Sequence, residues 1–205
     1  MVFITASSKS WRDRCRLLLA VALLWGGLAL AAEIEVAEPR LAATEDGYAL
    51  SADFAFEFNQ RLEEAVSKGV VLYFVAEFEL TRPRWYWFDE KVVSRSQTYR
   101  LSYHALTRQY RLSTGALHQS FDTLSEALRM LSRLRQWVVV EKPAGDKAGG
   151  LQPKAGEIYQ AALRLRLDVT QLPKPFQIAA LGSKDWNLAS DWKTWQLTLP
   201  APEAK

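Results

Sequence analysis

The chain has 205 residues, of which 49% are hydrophobic and 24% charged, a composition typical of a folded globular protein and not of a disordered one. Its 26 basic and 23 acidic residues give a net charge of +3. Four of the basic residues and one of the acidic residues lie within the first 31 positions, so the rest of the chain carries 22 of each. A neutral remainder gives no reason to expect nucleic acid or an anionic membrane as a partner.

The first 31 residues have the three parts of a secretory signal peptide. Three arginines between residues 12 and 16 precede an uncharged apolar run over residues 17–31. Ala29 and Ala31 place small residues where a signal peptidase reads them, so we predict Sec-type export with cleavage after Ala31. The apolar run is shorter than the roughly 20 residues that span a membrane, so we expect no stable membrane insertion after cleavage. Cys15 lies in this leader, and the exported chain therefore folds without a disulfide.

Alternation of apolar and polar residues after the leader predicts half-buried strands of antiparallel sheets. The alternation is clearest over residues 163–169, and Thr114-Gly115 is expected to turn a hairpin. The predicted strands cover residues 53–58, 70–80, 99–103, 110–112, 116–121, 137–140, 163–169 and 195–199, with a further strand starting near 157.

Two short helices are predicted between these strands. Asn59 can cap the first, which ends at Gly69, and Thr123 with Glu126 forms a capping box that opens the second. Residues 142–156 are rich in Gly, Pro, Ala and Lys, and we expect them to form a mobile loop. Together these elements predict a single mainly β domain over residues 32–205. We expect an antiparallel β-sandwich-like fold, with an immunoglobulin-like topology as one arrangement that the pattern allows.

The sequence contains no recognisable catalytic or metal motif. His104 and His118 flank the predicted hairpin and could face each other across it, but two histidines without further ligands at metal-binding spacing do not predict a zinc site. Ser190 and Lys193 fit the S-x-x-K pattern of acyl-transfer enzymes, although the companion motifs are missing, so we interpret the match as chance. Acidic pairs such as Asp89 with Glu90 are interpreted as exposed side chains. We therefore predict no metal and no cofactor.

Aromatic clustering is the feature most suggestive of binding. Arg84, Trp85, Tyr86 and Trp87 form a dense run with Phe88 at the expected start of a strand. Core packing explains such a run, because tryptophan buries a large area. A binding surface is the second explanation, because Trp, Tyr and Arg supply most interface energy. A platform that stacks on sugar rings is one form of that second explanation.

A longer pattern near the carboxyl end resembles a known family. The residues that carry the resemblance are 172–181 (LPKPFQIAAL), Trp186, Trp192, Trp195, residues 83–87 (PRWYW) and residues 99–103 (YRLSY). The pattern is similar to a family of secreted proteins of Gram-negative bacteria known as domain of unknown function 4390. The resemblance covers nearly all of the exported chain and implies a periplasmic protein. It further implies genes that lie beside those of a membrane sensor histidine kinase of the nitrogen-regulation type, and it supplies no catalytic residues.

Residues 172–181 also predict a local structure. Pro173 and Pro175 favour an extended path, after which Phe176 can open a short apolar helical turn that ends at Gly182. We expect the three tryptophans that follow to clamp this turn onto the sheet. On that expectation, Trp192→Ala would destabilise the fold by about 3 kcal/mol or more.

The leading functional hypothesis is a non-catalytic periplasmic interaction module that binds the external part of a membrane protein, such as a sensor kinase. Two alternatives stay open at this point. One is a binder of a small ligand or glycan that uses the aromatic run, and the other is an enzyme with an unrecognised site.

Overall fold

The computed structural model describes residues 34–86, 89–141 and 153–199, all of which belong to one compact unit, Ala31–Lys205. The predicted signal peptide lies outside the described residues. So do Trp87, Phe88 and most of the loop predicted over 142–156, of which only residues 153–156 are described.

The described residues form nine strands in two antiparallel sheets, so the prediction of a mainly β, sandwich-like fold is confirmed. The smaller sheet has the order β1-β2-β7 and the larger has the order β6-β5-β4-β3-β8-β9. The strands are β1 Glu35–Thr44, β2 Gly47–Ala55, β3 Leu72–Arg82, β4 Glu90–His104, β5 Gln109–Thr114, β6 Leu117–Phe121, β7 Arg133–Glu141, β8 Ile158–Leu167 and β9 Lys193–Thr198. The α-helices within these described ranges are α1 Gln60–Ser67, α2 Leu124–Leu131 and α3 Lys174–Ala180.

The core is built on β3 and β8, where the predicted alternation is confirmed. Phe74, Ala76 and Phe78 of β3 are fully buried, and their register partners on β8 alternate in the same way. Side chains of both sheets join one hydrophobic cluster, which is why the two sheets share a single core.

The local signals for turns and helix starts are also confirmed. Asn59 Oδ1 accepts a hydrogen bond from the backbone N–H of Leu62 at 3.0 Å, and Thr123 Oγ1 accepts one from Glu126 at 3.3 Å. A two-residue turn at 115–116 joins β5 to β6. The third helix, α3, corresponds to the predicted short turn but begins at Lys174, so Pro175 lies in its first turn and not in an extended segment. These features depend on neighbours in sequence, and the sequence pattern predicts them for that reason.

Several boundaries and the topology differ from expectation. No strand was predicted for β1, and β4 is far longer than the segment 99–103. The strand predicted over 163–169 ends at Leu167, where Asp168 caps a 3-10 turn, Val169–Gln171. A four-strand meander from β3 to β6 dominates the larger sheet, so the strand order is not that of the immunoglobulin fold.

The outer face of the larger sheet carries a charged cluster that makes stability depend on pH. Glu77 lies opposite Arg164 in the β3–β8 register and accepts hydrogen bonds from Arg164 and, at 3.1 Å, from Arg166. Burial alone would raise the pKa of Glu77, but these hydrogen bonds and charges outweigh it and hold the pKa below its ordinary value.

Because the folded pKa of Glu77 is depressed, its contribution to stability is complete above the pKa of the unfolded chain and is lost as pH falls through the folded pKa. We therefore expect Glu77→Gln to flatten the loss of stability between about pH 5 and pH 3. Urea unfolding at pH 6, 4 and 3 measures this effect, with Glu57→Gln, at an exposed carboxyl, as the matched control. Equal slopes for Glu77→Gln and the unsubstituted protein would contradict it.

Candidate functional site

The connection between β3 and β4 projects aromatic side chains into solvent. Pro83 follows β3 and cannot donate to a ladder, so the chain leaves the sheet there. Trp85 is 93% exposed and Tyr86 is 66% exposed, and their ring centroids are 5.0 Å apart at an interplanar angle of 71°. For these two residues the core explanation is wrong, because both side chains lie on the surface. We call residues 83–86 together with Asp89 the aromatic tip.

A charged network holds the base of the aromatic tip. Arg82 donates a hydrogen bond to the Tyr159 hydroxyl at 3.2 Å and pairs with Glu157 at 2.9 Å. Its guanidinium lies 5.6 Å from the centroid of the Tyr159 ring. The hydrogen bond with Tyr159 and the carboxylates of Glu157 and Glu90 raise the pKa of Arg82, which keeps it charged. Arg82 thus joins the end of β3 to the start of β8.

The other side of the base is tied by Glu90, the first residue of β4. Glu90 pairs with Arg84 and lies 3.6 Å from a guanidinium nitrogen of Arg82. The backbone N–H of Arg84 donates to Asp89 Oδ1 at 3.4 Å. The charged groups of this connection are therefore paired close to the sheet, although Arg82 Nε is buried without a hydrogen-bond partner, and Trp85 and Tyr86 extend beyond them.

The carboxyl-terminal signature forms a second packed unit. Pro173 precedes α3, Pro175 lies in its first turn, and Gly182 follows it at φ +81°. Phe176 packs edge-to-face on Trp186 with centroids 5.7 Å apart, and Trp186 is only 4% exposed. Trp186 therefore clamps α3, as expected.

The other two tryptophans of the signature behave differently. Trp195 of β9 is half-buried and lies 6.5 Å from Phe78, centroid to centroid. Trp192 is 37% exposed, and the guanidinium of Arg164 lies 4.4 Å from its ring centroid on the outside of the sheet. The prediction that Trp192 clamps the helical turn is wrong, because it lies in the segment before β9 and not on the inward face of a strand.

The carboxyl-terminal signature lies within a region that matches a known protein family. The model of the family described as "Domain of unknown function (DUF4390)" matches residues 31–196. The chain belongs to the DUF4390 family. Searches among characterised proteins and among solved structures found no match for it.

The catalytic candidates of this DUF4390 chain are not brought together. In the strand register, His104 lies opposite Gln109 and His118 lies opposite Ser113. The two histidines therefore do not face each other, contrary to the arrangement considered above. In the described ranges no group of three His, Cys, Asp or Glu side chains is placed to hold a metal ion. Ser190 is buried, and its Oγ accepts a hydrogen bond from the backbone N–H of Leu165 at 3.0 Å, which is a structural role.

No helix within residues 34–86, 89–141 and 153–199 is long and apolar enough to cross a membrane.

The sequence pattern does not predict the hydrogen bond and ion pairs around Arg82 and Tyr159. The two residues are 77 positions apart, and their contact depends on how β3 and β8 pair. The one available signal was that the DUF4390 chain places two arginines, Arg82 and Arg84, directly before its aromatic run.

Proposed function

We propose that this chain is a non-catalytic periplasmic interaction module that binds the external part of a membrane protein, such as a sensor histidine kinase. The proposal rests on one observation. Trp85 and Tyr86 are exposed on the connection between β3 and β4, and ion pairs hold the base of that connection. The signal-like leader and the family support the compartment, because both are typical of exported proteins.

The exposed side chains of the aromatic tip are of the types that contribute most to the energy of protein interfaces. Trp, Tyr and Arg dominate the residues whose truncation weakens protein interfaces by 2 kcal/mol or more. Trp85, Tyr86 and Arg84 are adjacent in the aromatic tip, so one partner pocket can reach all three. The ion pairs of Arg82 and Glu90 hold the base of the aromatic tip before binding, which reduces the entropy lost when the complex forms.

The ring geometry indicates what kind of partner fits. The rings of Trp85 and Tyr86 meet edge to face at 71°, so the two do not form one flat stacking surface. Rings set edge to face can fill an apolar pocket in a protein, whereas stacking on a sugar uses the open flat face of an aromatic ring. We therefore favour a protein partner over a glycan.

Crosslinking in cells tests this proposal. A photo-crosslinking phenylalanine analogue at position 86 leaves Trp85 intact. The same analogue at position 106 is the control, because Leu106 is an exposed apolar residue on a different turn, the one between β4 and β5. We expect position 86, but not position 106, to crosslink to one membrane protein identified by mass spectrometry. Equal crosslinking at the two positions would contradict the proposal. A shift in tryptophan fluorescence on titration with cell-wall fragments would instead support the glycan alternative.

A further inference from the structure

β6 is the one edge strand within the described residues that has no charged side chain, no proline and no bulge to discourage pairing with another chain. Edge strands are normally guarded by charged side chains, proline or a bulge. β1 contains Pro39, β7 contains Arg133 and β9 contains Lys193. β6, with the sequence LHQSF over Leu117–Phe121, contains no charged residue and no proline, and it pairs with β5 without a register shift.

The hairpin turn determines which main-chain groups of β6 are open. Residues 115–116 form a two-residue loop, so Thr114 and Leu117 close it as a hydrogen-bonded pair. Every second residue of β6 from Leu117 onward is then bonded to β5. The two residues between them, His118 and Ser120, direct their N–H and C=O groups toward the open edge.

The side chains of β6 are equally open. All residues from Leu117 to Ser120 are exposed, and Leu117 is 78% exposed although it is apolar. Leu117, Gln119 and Phe121 share one face, and Phe121 packs at the margin of the core. The core-side face of the sheet therefore continues past its last buried residue, toward whatever pairs with β6.

We infer that β6 pairs antiparallel with β6 of a second copy of this chain, about a twofold axis at Gln119. In that register His118 of each copy faces Ser120 of the other, which gives about four main-chain hydrogen bonds between the copies. Leu117 faces Phe121 of the second copy, so the exposed leucine gains an apolar cross-strand neighbour. The two larger sheets become one continuous sheet.

The second copy is favoured because the strand is complementary to itself. Its apolar ends meet each other, its polar middle residues meet each other, and no like charges are brought together. A five-residue edge buries far less than the roughly 1,600 Å² of a standard interface. We therefore expect a weak, concentration-dependent dimer with a dissociation constant above roughly 1 µM.

The residue on the axis provides a sharp test. Gln119→Lys places two positive charges directly opposite each other in the dimer, and Gln119→Glu places two negative charges there. Gln119 is exposed, so neither substitution should affect folding. Gln196→Lys is the matched control, since it makes the same change at an exposed position of β9, the other edge of the same sheet.

Sedimentation equilibrium of the exported chain, residues 32–205, measures the outcome over a range of concentrations. We expect each Gln119 substitution to raise the dimer dissociation constant by about twofold to fivefold, an equimolar mixture of the two to restore association, and Gln196→Lys to have no effect. A chain that stays monomeric up to about 1 mM, or a dimer unaffected by the Gln119 substitutions, would overturn the inference. Crosslinks from β6 to a different protein without self-association would also overturn it.

Discussion

Trp186→Ala is expected to lower the free energy of unfolding by about 3–5 kcal/mol, as large-to-small changes at buried aromatic sites do. Trp186 is 4% exposed and packs on Phe176 of α3. The segment around it is also tied to α1, because Asn59 Nδ2 donates to the Asp185 carbonyl at 2.7 Å and Arg61 pairs with the Asp185 carboxylate at 3.0 Å. Losing the indole leaves a cavity in the turn Lys184–Trp186, which contacts both α1 and α3.

Two further substitutions make this prediction specific. Trp186→Phe should cost less than about 1.5 kcal/mol, because it keeps an aromatic ring and removes an indole N–H that is buried without a hydrogen-bond partner. Trp192→Ala should cost less than about 1 kcal/mol, because that ring is 37% exposed and lies against the guanidinium of Arg164. Urea unfolding measures all three. Equal losses at Trp186 and Trp192 would show that the clamp is wrongly assigned.

The parts of this fold that the sequence predicts are those determined by neighbouring residues. Burial alternates along β3 because successive side chains point to opposite faces, so Phe74 and Phe78 could be assigned to the core from spacing alone. Asn59 and Thr123 could be assigned as helix caps because a cap needs only the next three residues.

The parts that the sequence does not predict depend on residues far apart in the chain. The same clustering of tryptophans describes Trp186, which is buried, and Trp85, which is exposed. What separates them is the partner that each meets in space, since Trp186 meets α3 and Trp85 lies beyond the sheet. The ion pair between Arg82 and Glu157 likewise requires β3 and β8 to be adjacent, and no local pattern encodes that pairing.

Trp85→Ala should weaken binding of the crosslinked partner by about 30-fold or more, the effect expected of an interface residue worth at least 2 kcal/mol. The same substitution should change the free energy of unfolding by no more than about 0.5 kcal/mol, because the side chain is 93% exposed. Leu106→Ala is the control for loss of an equally exposed apolar side chain. Titration of the purified partner domain measures the affinities, and an unchanged affinity for Trp85→Ala would remove the aromatic tip as the contact surface.

Arg82→Gln separates the contact made by the aromatic tip from the ordering of its base. Arg82 contacts Tyr159, Glu157 and Glu90 at the base of the aromatic tip. The substitution therefore removes the ion pairs and keeps the Trp85 and Tyr86 side chains themselves. If the network acts by holding the loop in its binding geometry, affinity should fall by roughly threefold to tenfold, less than for Trp85→Ala, since only the cost of ordering the loop is added. A loss as large as that of Trp85→Ala would instead mean that Arg82 itself contacts the partner.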